Sequence, residues 1–195
     1  MKRLSVVFSI LFASIVSMAQ TTSGVWNEKT ATYTNVKHKI TWKLIEELEW
    51  KGRPILSNST LLKVRNDDTQ ILVSIDVQDD DKSVKDVWEI LSIYNSKEYL
   101  AFPKAEAARN GMELQYVRPM KSQLCGLHAN KVKTDMTKHY PEHKLTMHSV
   151  KYMYQFISGD YLYTLTVLGL SVREDELEDF EYLATKIVNG FKIDY

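Results

Sequence analysis

Cysteine is almost missing: the 195 residues contain one, Cys125. No internal disulfide can therefore staple the chain, and stability has to come from packing. Proline and glycine are sparse, at four and seven, and neither repeats nor low-complexity segments occur. An excess of charge of one sign is lacking too, with 25 basic against 25 acidic residues. A balanced surface gives no electrostatic reason to expect nucleic acid as a partner. Beyond residue 16 no apolar run approaches the roughly 20 residues of a spanning helix, so no membrane span is expected in the mature chain.

One apolar run is present, and it stands at the start. Met1-Lys2-Arg3 leads into Leu4 to Val16, which closes on Ser17-Met18-Ala19. A basic start, an apolar middle and small residues at 17 and 19 are the three parts of a secretory signal peptide, so residues 1–19 are read as one, cleaved after Ala19. Its removal leaves about 176 residues, enough for one domain with a real core, and a net charge near −2. The expected location is periplasmic or extracellular. Residues 20–29 read as a flexible leader, with Val25 and Trp26 docking locally, and 30–195 as a single domain.

Hydrophobic periodicity then sorts the chain. Thr32 to Trp42 reads as one strand with imperfect alternation, and 44–50 suits a helical turn and a strand equally. Residues 60–65 and 70–77 read as a hairpin about the Asn66-Asp67-Asp68-Thr69 turn. Ser83 to Asp86 resembles a capping box ahead of Val84, Val87, Trp88, Leu91 and Tyr94, one helical stripe that Pro103 stops or kinks, with a short second piece over 105–109. Leu114–Val117 reads as a strand closed by Pro119, and Leu124–Met136 as another, with Gly126 where a side chain does not fit. Two strict period-two strands follow, 147–157 and 161–168. Last comes a helix capped at Ser171 with Leu177, Phe180, Leu183, Ala184, Ile187 and Phe191 on one face, stopped by Asn189-Gly190. Antiparallel strands with two amphipathic helices predict an α+β sandwich.

The order of these elements resembles a known family. "YQFISGDYLYTLTVLGLSVREDELEDFEYLATKIVNGFKI", "ILVSIDVQDDDKSVKDVWEIL" and "LCGLHANKVK" are similar to segments of PsbP-like domains over about residues 30–193. The resemblance rests on pattern more than on identities. It implies an α/β/α sandwich around an antiparallel sheet and an accessory or binding role, and it brings no shared catalytic motif. Members include a photosystem subunit and a nuclear GTPase-binding protein, and the export signal here fits neither of those specific roles.

Four constellations carry chemistry on paper. His139, Glu142, His143 and His148 crowd "KHYPEHKLTMH", but Pro141 opposes a continuous helix. In an extended segment 139 and 143 share a face while 148 points away, so three converging metal ligands are not expected. Cys125 and His128 are the only thiol and imidazole close in sequence, and on a strand, residues three apart face opposite sides, which excludes a nucleophilic pair. Asp76, Asp79, Asp80 and Asp81 lack the glycine and distant glutamate of a calcium loop and suit the entry to a helix. Tyr152, Tyr154, Tyr161 and Tyr163, with Phe156, are either core or an exposed platform for sugars or peptides, and they are the candidate binding surface. No cofactor and no catalytic residue is expected. The leading function is a non-catalytic binding protein for a protein or small-molecule ligand. The alternatives are a metal-dependent hydrolase on the three histidines and a structural subunit of a cell-envelope complex.

Overall fold

Alternation sets the centre of the molecule. In the computed structural model, which describes residues 24–53, 59–79 and 86–194, Leu145–Ser158 (β9) buries Tyr152, Tyr154 and Phe156, and Tyr161–Ser171 (β10) buries Tyr163, Leu165 and Val167. Antiparallel pairing sets Tyr163 opposite Phe156, Leu165 opposite Tyr154 and Val167 opposite Tyr152, so the six share one face. On the other side of β10, Val77, Ile75 and Val73 of Ile71–Asp79 (β6) continue that face, followed by Leu62 and Val64 of Thr60–Asn66 (β5). Lys51–Arg53 (β4) borders β5. Leu127–Tyr140 (β8) and Met112–Leu124 (β7) complete a seven-stranded antiparallel sheet in the order β4-β5-β6-β10-β9-β8-β7.

A second sheet lies over the aromatic face. It comprises Val25–Asn27 (β1), Thr32–Asn35 (β2), Ile40–Lys43 (β3) and Phe191–Ile193 (β11), in that order, and contributes Tyr33, Ile40, Trp42 and Phe191 to the same core. Phe180–Asn189 (α3) lies beside it, burying Phe180, Ala184, Ile187 and Val188. Trp42 pins the two together, its indole N–H donating to the Ile187 carbonyl at 2.9 Å. Gly190 closes the joint: a Cβ there would meet the Lys43 carbonyl oxygen at 1.9 Å. Across the large sheet, Val87–Tyr94 (α1) and Lys97–Arg109 (α2) cover the β7-β8-β9 end. The result is the expected α+β sandwich, with the seven-stranded sheet as its middle layer.

Several expected boundaries move. Thr32 to Trp42 is two strands rather than one, because the Asn35 side chain accepts from the His38 amide at 3.1 Å and Lys39 turns left-handed at φ 52°. Part of the expected leader is ordered, since β1 pairs with β2 and the Asn27 side chain caps the short 3-10 turn Glu28–Thr30. Among the described residues, helix α1 begins at Val87 with Asp86 as its cap, accepting from the Trp88 amide at 2.9 Å; Ser83 and Val84 lie outside them. The break falls at Asn95-Ser96, and Pro103 sits inside α2. Pro119 does not end its strand, because β7 is the sheet edge, where one side needs no amide donor. Cys125 and Gly126 are not strand residues: at φ 52° and 80° they form the tight turn between β7 and β8. The helix expected from Ser171 becomes a 3-10 turn, Glu174–Leu177, before α3. The proposed signal peptide lies outside the described residues. Among the described residues no helix is long and apolar enough to cross a membrane, which says nothing of strands.

Candidate functional site

The tyrosines belong to the core. Tyr152, Tyr154 and Tyr163 are 1 %, 5 % and 2 % exposed, and Tyr161 is half-buried. The small sheet and α3 cover the face on which an exposed platform would have to stand, so the candidate surface at these four positions is corrected. Phe156 stacks on Tyr163 with centroids 5.3 Å apart. The His38 ring nitrogen lies 2.9 Å from the Tyr163 hydroxyl, and its ring meets Tyr161 edge-on. Burial pushes the Tyr163 phenol up to about 12 and holds the His38 imidazole below its usual range, with the charge of Lys37 adding to the second effect. Burial, then the Glu181 carboxylate, raises Tyr152 as well. Lys131 seals the end of this row: its ammonium lies 4.9 Å from the Tyr152 ring centroid and 2.7 Å from Glu181.

The histidines take an arrangement other than the expected one. Pro141–His143 forms a 3-10 turn between β8 and β9, setting His139 opposite Thr146 and Thr137 opposite His148. His139 and His148 are thus diagonal neighbours on adjacent strands rather than opposed, because the hairpin reverses the chain between them. His139 Nδ1 lies 3.0 Å from the Thr146 hydroxyl, and His143 is exposed on the turn. Among the described residues no three His, Cys, Asp or Glu side chains are placed to share a metal ion.

Cys125 and His128 go separate ways. The thiol donates to the Phe191 carbonyl at 3.2 Å, and burial raises its pKa. The His128 ring instead stacks on Trp88 with centroids 3.5 Å apart, its Nδ1 lying 2.5 Å from an Asp86 carboxylate oxygen. Bonding from the Trp88 amide, then His128, holds the Asp86 carboxyl below its ordinary value. Asp76 accepts from the Thr60 hydroxyl at 2.6 Å, which makes it a strand-pairing group, and Asp79 is exposed at the end of β6. Asp80 and Asp81 lie outside the described residues.

A site that the sequence pattern does not announce lies at one end of the aromatic face. The β5–β6 turn, the end of β10, the 3-10 turn Glu174–Leu177 and the first turns of α3 enclose a groove of about 650 Å³. Its floor is apolar, with Ile71, Leu170, Leu177, Phe180 and Leu183. Gly169 permits that floor, since a Cβ there would meet the Phe180 ring at 2.8 Å. Among the described residues, every charged one in its lining is acidic: Asp68, Glu176 and Asp179. Arg173, next in sequence to the lining residue Val172, is held by Asp175 through contacts of 3.2 and 2.6 Å. Val172 and Tyr182 stand at the edge, 53 % and 76 % exposed. The one sequence signal for this place is a pair of large apolar residues, Val172 and Tyr182, at positions off the buried stripe.

No family model matches the chain, and no curated protein matches it. Solved structures do. The solution structure of cyanobacterial PsbP from Synechocystis sp. aligns over 87 % of this chain and 95 % of its own at 11 % identity, with a TM-score of 0.53. LpqN, involved in cell envelope biogenesis of Mycobacterium tuberculosis, aligns over 80 % and 83 % at 12 % identity, with a TM-score of 0.43. At 11 % identity the likeness to cyanobacterial PsbP is one of architecture, and what this chain shares with it is the PsbP-like fold.

Proposed function

We propose that this chain is an exported, non-catalytic binding protein whose working surface is the groove between the β5–β6 turn and α3. Its occupant is an amphipathic segment of a partner protein, apolar side down and basic residues at the rim. The observation that carries this reading is the pairing of an apolar floor with an all-acidic set of charged lining residues. Water is displaced from Leu177, Leu183 and Tyr182 on binding, which drives association, while Asp68, Glu176 and Asp179 select the sign of the partner's charge. A volume of about 650 Å³ lies within the ordinary range of ligand clefts, roughly 300–1,000 Å³. The non-catalytic part of the reading is supported by the character of these acids, which line an open groove with no imidazole, thiol or amine among them.

Titration of the isotope-labelled chain with a synthetic amphipathic helix of leucines and lysines tests this. Saturable NMR shifts confined to Leu170, Val172, Leu177 and Leu183 are expected, weakening with salt as the charges are screened. Equal binding of the matching leucine–glutamate helix, or shifts centred elsewhere, would contradict the reading. Export is checked separately by the mass of the protein recovered outside the cytoplasm, which should begin at Gln20.

A further inference from the structure

The opposite face of the large sheet holds a different kind of space. Where α2 crosses β7, β8 and β9, a cavity of about 310 Å³ remains between helix and sheet. Much of its wall is apolar and rich in methionine, with Met112, Met136 and Met153 beside Leu114, Val117 and Val132, and Asn110 and Thr134 add uncharged polar groups. Methionine is unbranched and polarizable, so such a wall adapts to the shape of an apolar guest. Among the described residues one cationic side chain lines it, Lys151, which projects from β9 on the face opposite Tyr152. Lys151 is half-buried, and among the described residues its ammonium has no hydrogen bond or ion pair. The acid facing it is Glu106 of α2, which is exposed. Burial lowers the Lys151 pKa, and the Glu106 charge offsets this only in part. A charged amine placed against methionine and valine, with the exposed Glu106 only partly offsetting its burial, is an arrangement that a bound anion would relieve.

We infer that this cavity is a binding site for a small monocarboxylic acid with an apolar tail, the carboxylate meeting the Lys151 ammonium and the tail lying along Met112, Met136 and Met153. Size sets the tail. At roughly 30 Å³ for each non-hydrogen atom, about ten such atoms fill about 310 Å³, which corresponds to a medium-chain acid. Glu106 opposes the ligand's charge from the rim and so lowers its affinity. This site lies on the other side of the sheet from the acidic groove, and it stands whether or not that groove takes a peptide.

Octanoate is the probe, titrated into the purified chain by calorimetry and followed by NMR at the methyl groups of Met136 and Met153. Saturable binding is expected, with shifts at those methyls and at the Lys151 side-chain resonances. Octanol and octylamine should bind at least about tenfold more weakly, since neither brings a negative charge to pair with the Lys151 ammonium. Lys151→Met should weaken octanoate by about ten- to hundredfold for the same reason. Glu106→Gln should strengthen it by a few-fold. Because Lys151→Met removes a buried charge in favour of an isosteric thioether, its fold should survive, which circular dichroism checks. If that variant does not fold, Glu106→Gln and the wild-type Lys151 resonances decide. Octanoate and octanol binding alike, Glu106→Gln leaving affinity unchanged, or shifts outside the cavity would each overturn the assignment.

Discussion

Trp42→Phe is the perturbation that most directly tests how the layers are held. Trp42 is fully buried, its ring meets Phe191 edge-on at 5.7 Å, and its indole donates to the Ile187 carbonyl near the end of α3. Phenylalanine keeps one ring in place and loses the rest. The lost hydrogen bond contributes about 1 kcal/mol net, and not more, because the Ile187 carbonyl still accepts from the Gly190 amide at 3.3 Å. The ring atoms by which indole exceeds phenyl add roughly 2 kcal/mol at about 0.8 kcal/mol per buried carbon-sized group, some of it as an unfilled cavity. The sum is about 3 kcal/mol. For a domain of this size that lowers Tm by about 6–12 °C. Urea unfolding followed by far-ultraviolet circular dichroism measures it without relying on tryptophan emission, and the slope of free energy against urea should not change. Val36→Ala, at an 81 % exposed turn position, is the control and should stay within about 0.5 kcal/mol of wild type. A loss below about 1 kcal/mol for Trp42→Phe would mean that the small sheet and α3 are not coupled through this residue, and the account of the aromatic face as a shared core would fail.

Other outcomes follow from the same core. His38 has its folded pKa depressed below the unfolded value of 6.5, so the unfolded chain takes up a proton first as pH falls. Stability should therefore decline as pH drops through 6.5 toward the lower folded value, and this decline should shrink in His38→Gln. Urea midpoints at neutral and mildly acid pH read this, and an identical pH dependence in the variant would refute it. Gly190→Ala should destabilise by several times the few tenths of a kcal/mol that alanine normally gains over glycine, because its Cβ meets a backbone carbonyl at 1.9 Å. Thermal unfolding with no loss of Tm would sink that expectation. Asp86→Ala removes the cap of α1 and should lower stability by about 1 kcal/mol, measurable by the same urea titration.

What the sequence made legible was governed by local rules. The hairpin over residues 60–79 is fixed by alternation and by Asn66, whose side chain accepts from the Thr69 amide at 2.6 Å. The β9–β10 hairpin is fixed by alternation alone, and α3 by its stripe and the glycine after it. Misreadings arose where two local rules compete. Over residues 32–43 high strand propensity outvotes a weak turn signal, yet Asn35 and Lys39 reverse the chain. At Pro119 the breaker rule depends on whether a strand is an edge, a property of the assembled sheet. The His139 and His148 pairing was invisible for a similar reason, since cross-strand neighbours depend on register. Neither cavity is local: the groove joins residues near 70 to residues near 180, and the Lys151 cavity joins α2 to three strands. Only a half-buried lysine beside Met153 on the strand face opposite Tyr152 and Tyr154 hints at the second.

The positions of both cavities follow from the widths of the layers. Seven strands at about 4.8 Å spacing make a sheet close to 30 Å across, whereas two helices side by side cover only about 20 Å. On the α1–α2 side the helices sit over β7, β8 and β9, and the remaining outer face of β5 and β6 is furnished with Lys63, Arg65 and Asp76, which need no cover. On the aromatic side the change of character comes at β8, where Lys131, Lys133 and Asp135 stand in register with Tyr154, Tyr152 and Val150. Charge takes over where the cover ends. A groove or cavity persists only where an apolar stretch of sheet outruns its cover without such a change, which describes the floor around Ile71 and Leu170 and the methionine wall around Lys151. The acidic rim of the first and the lysine of the second set the charge that each proposed occupant has to match.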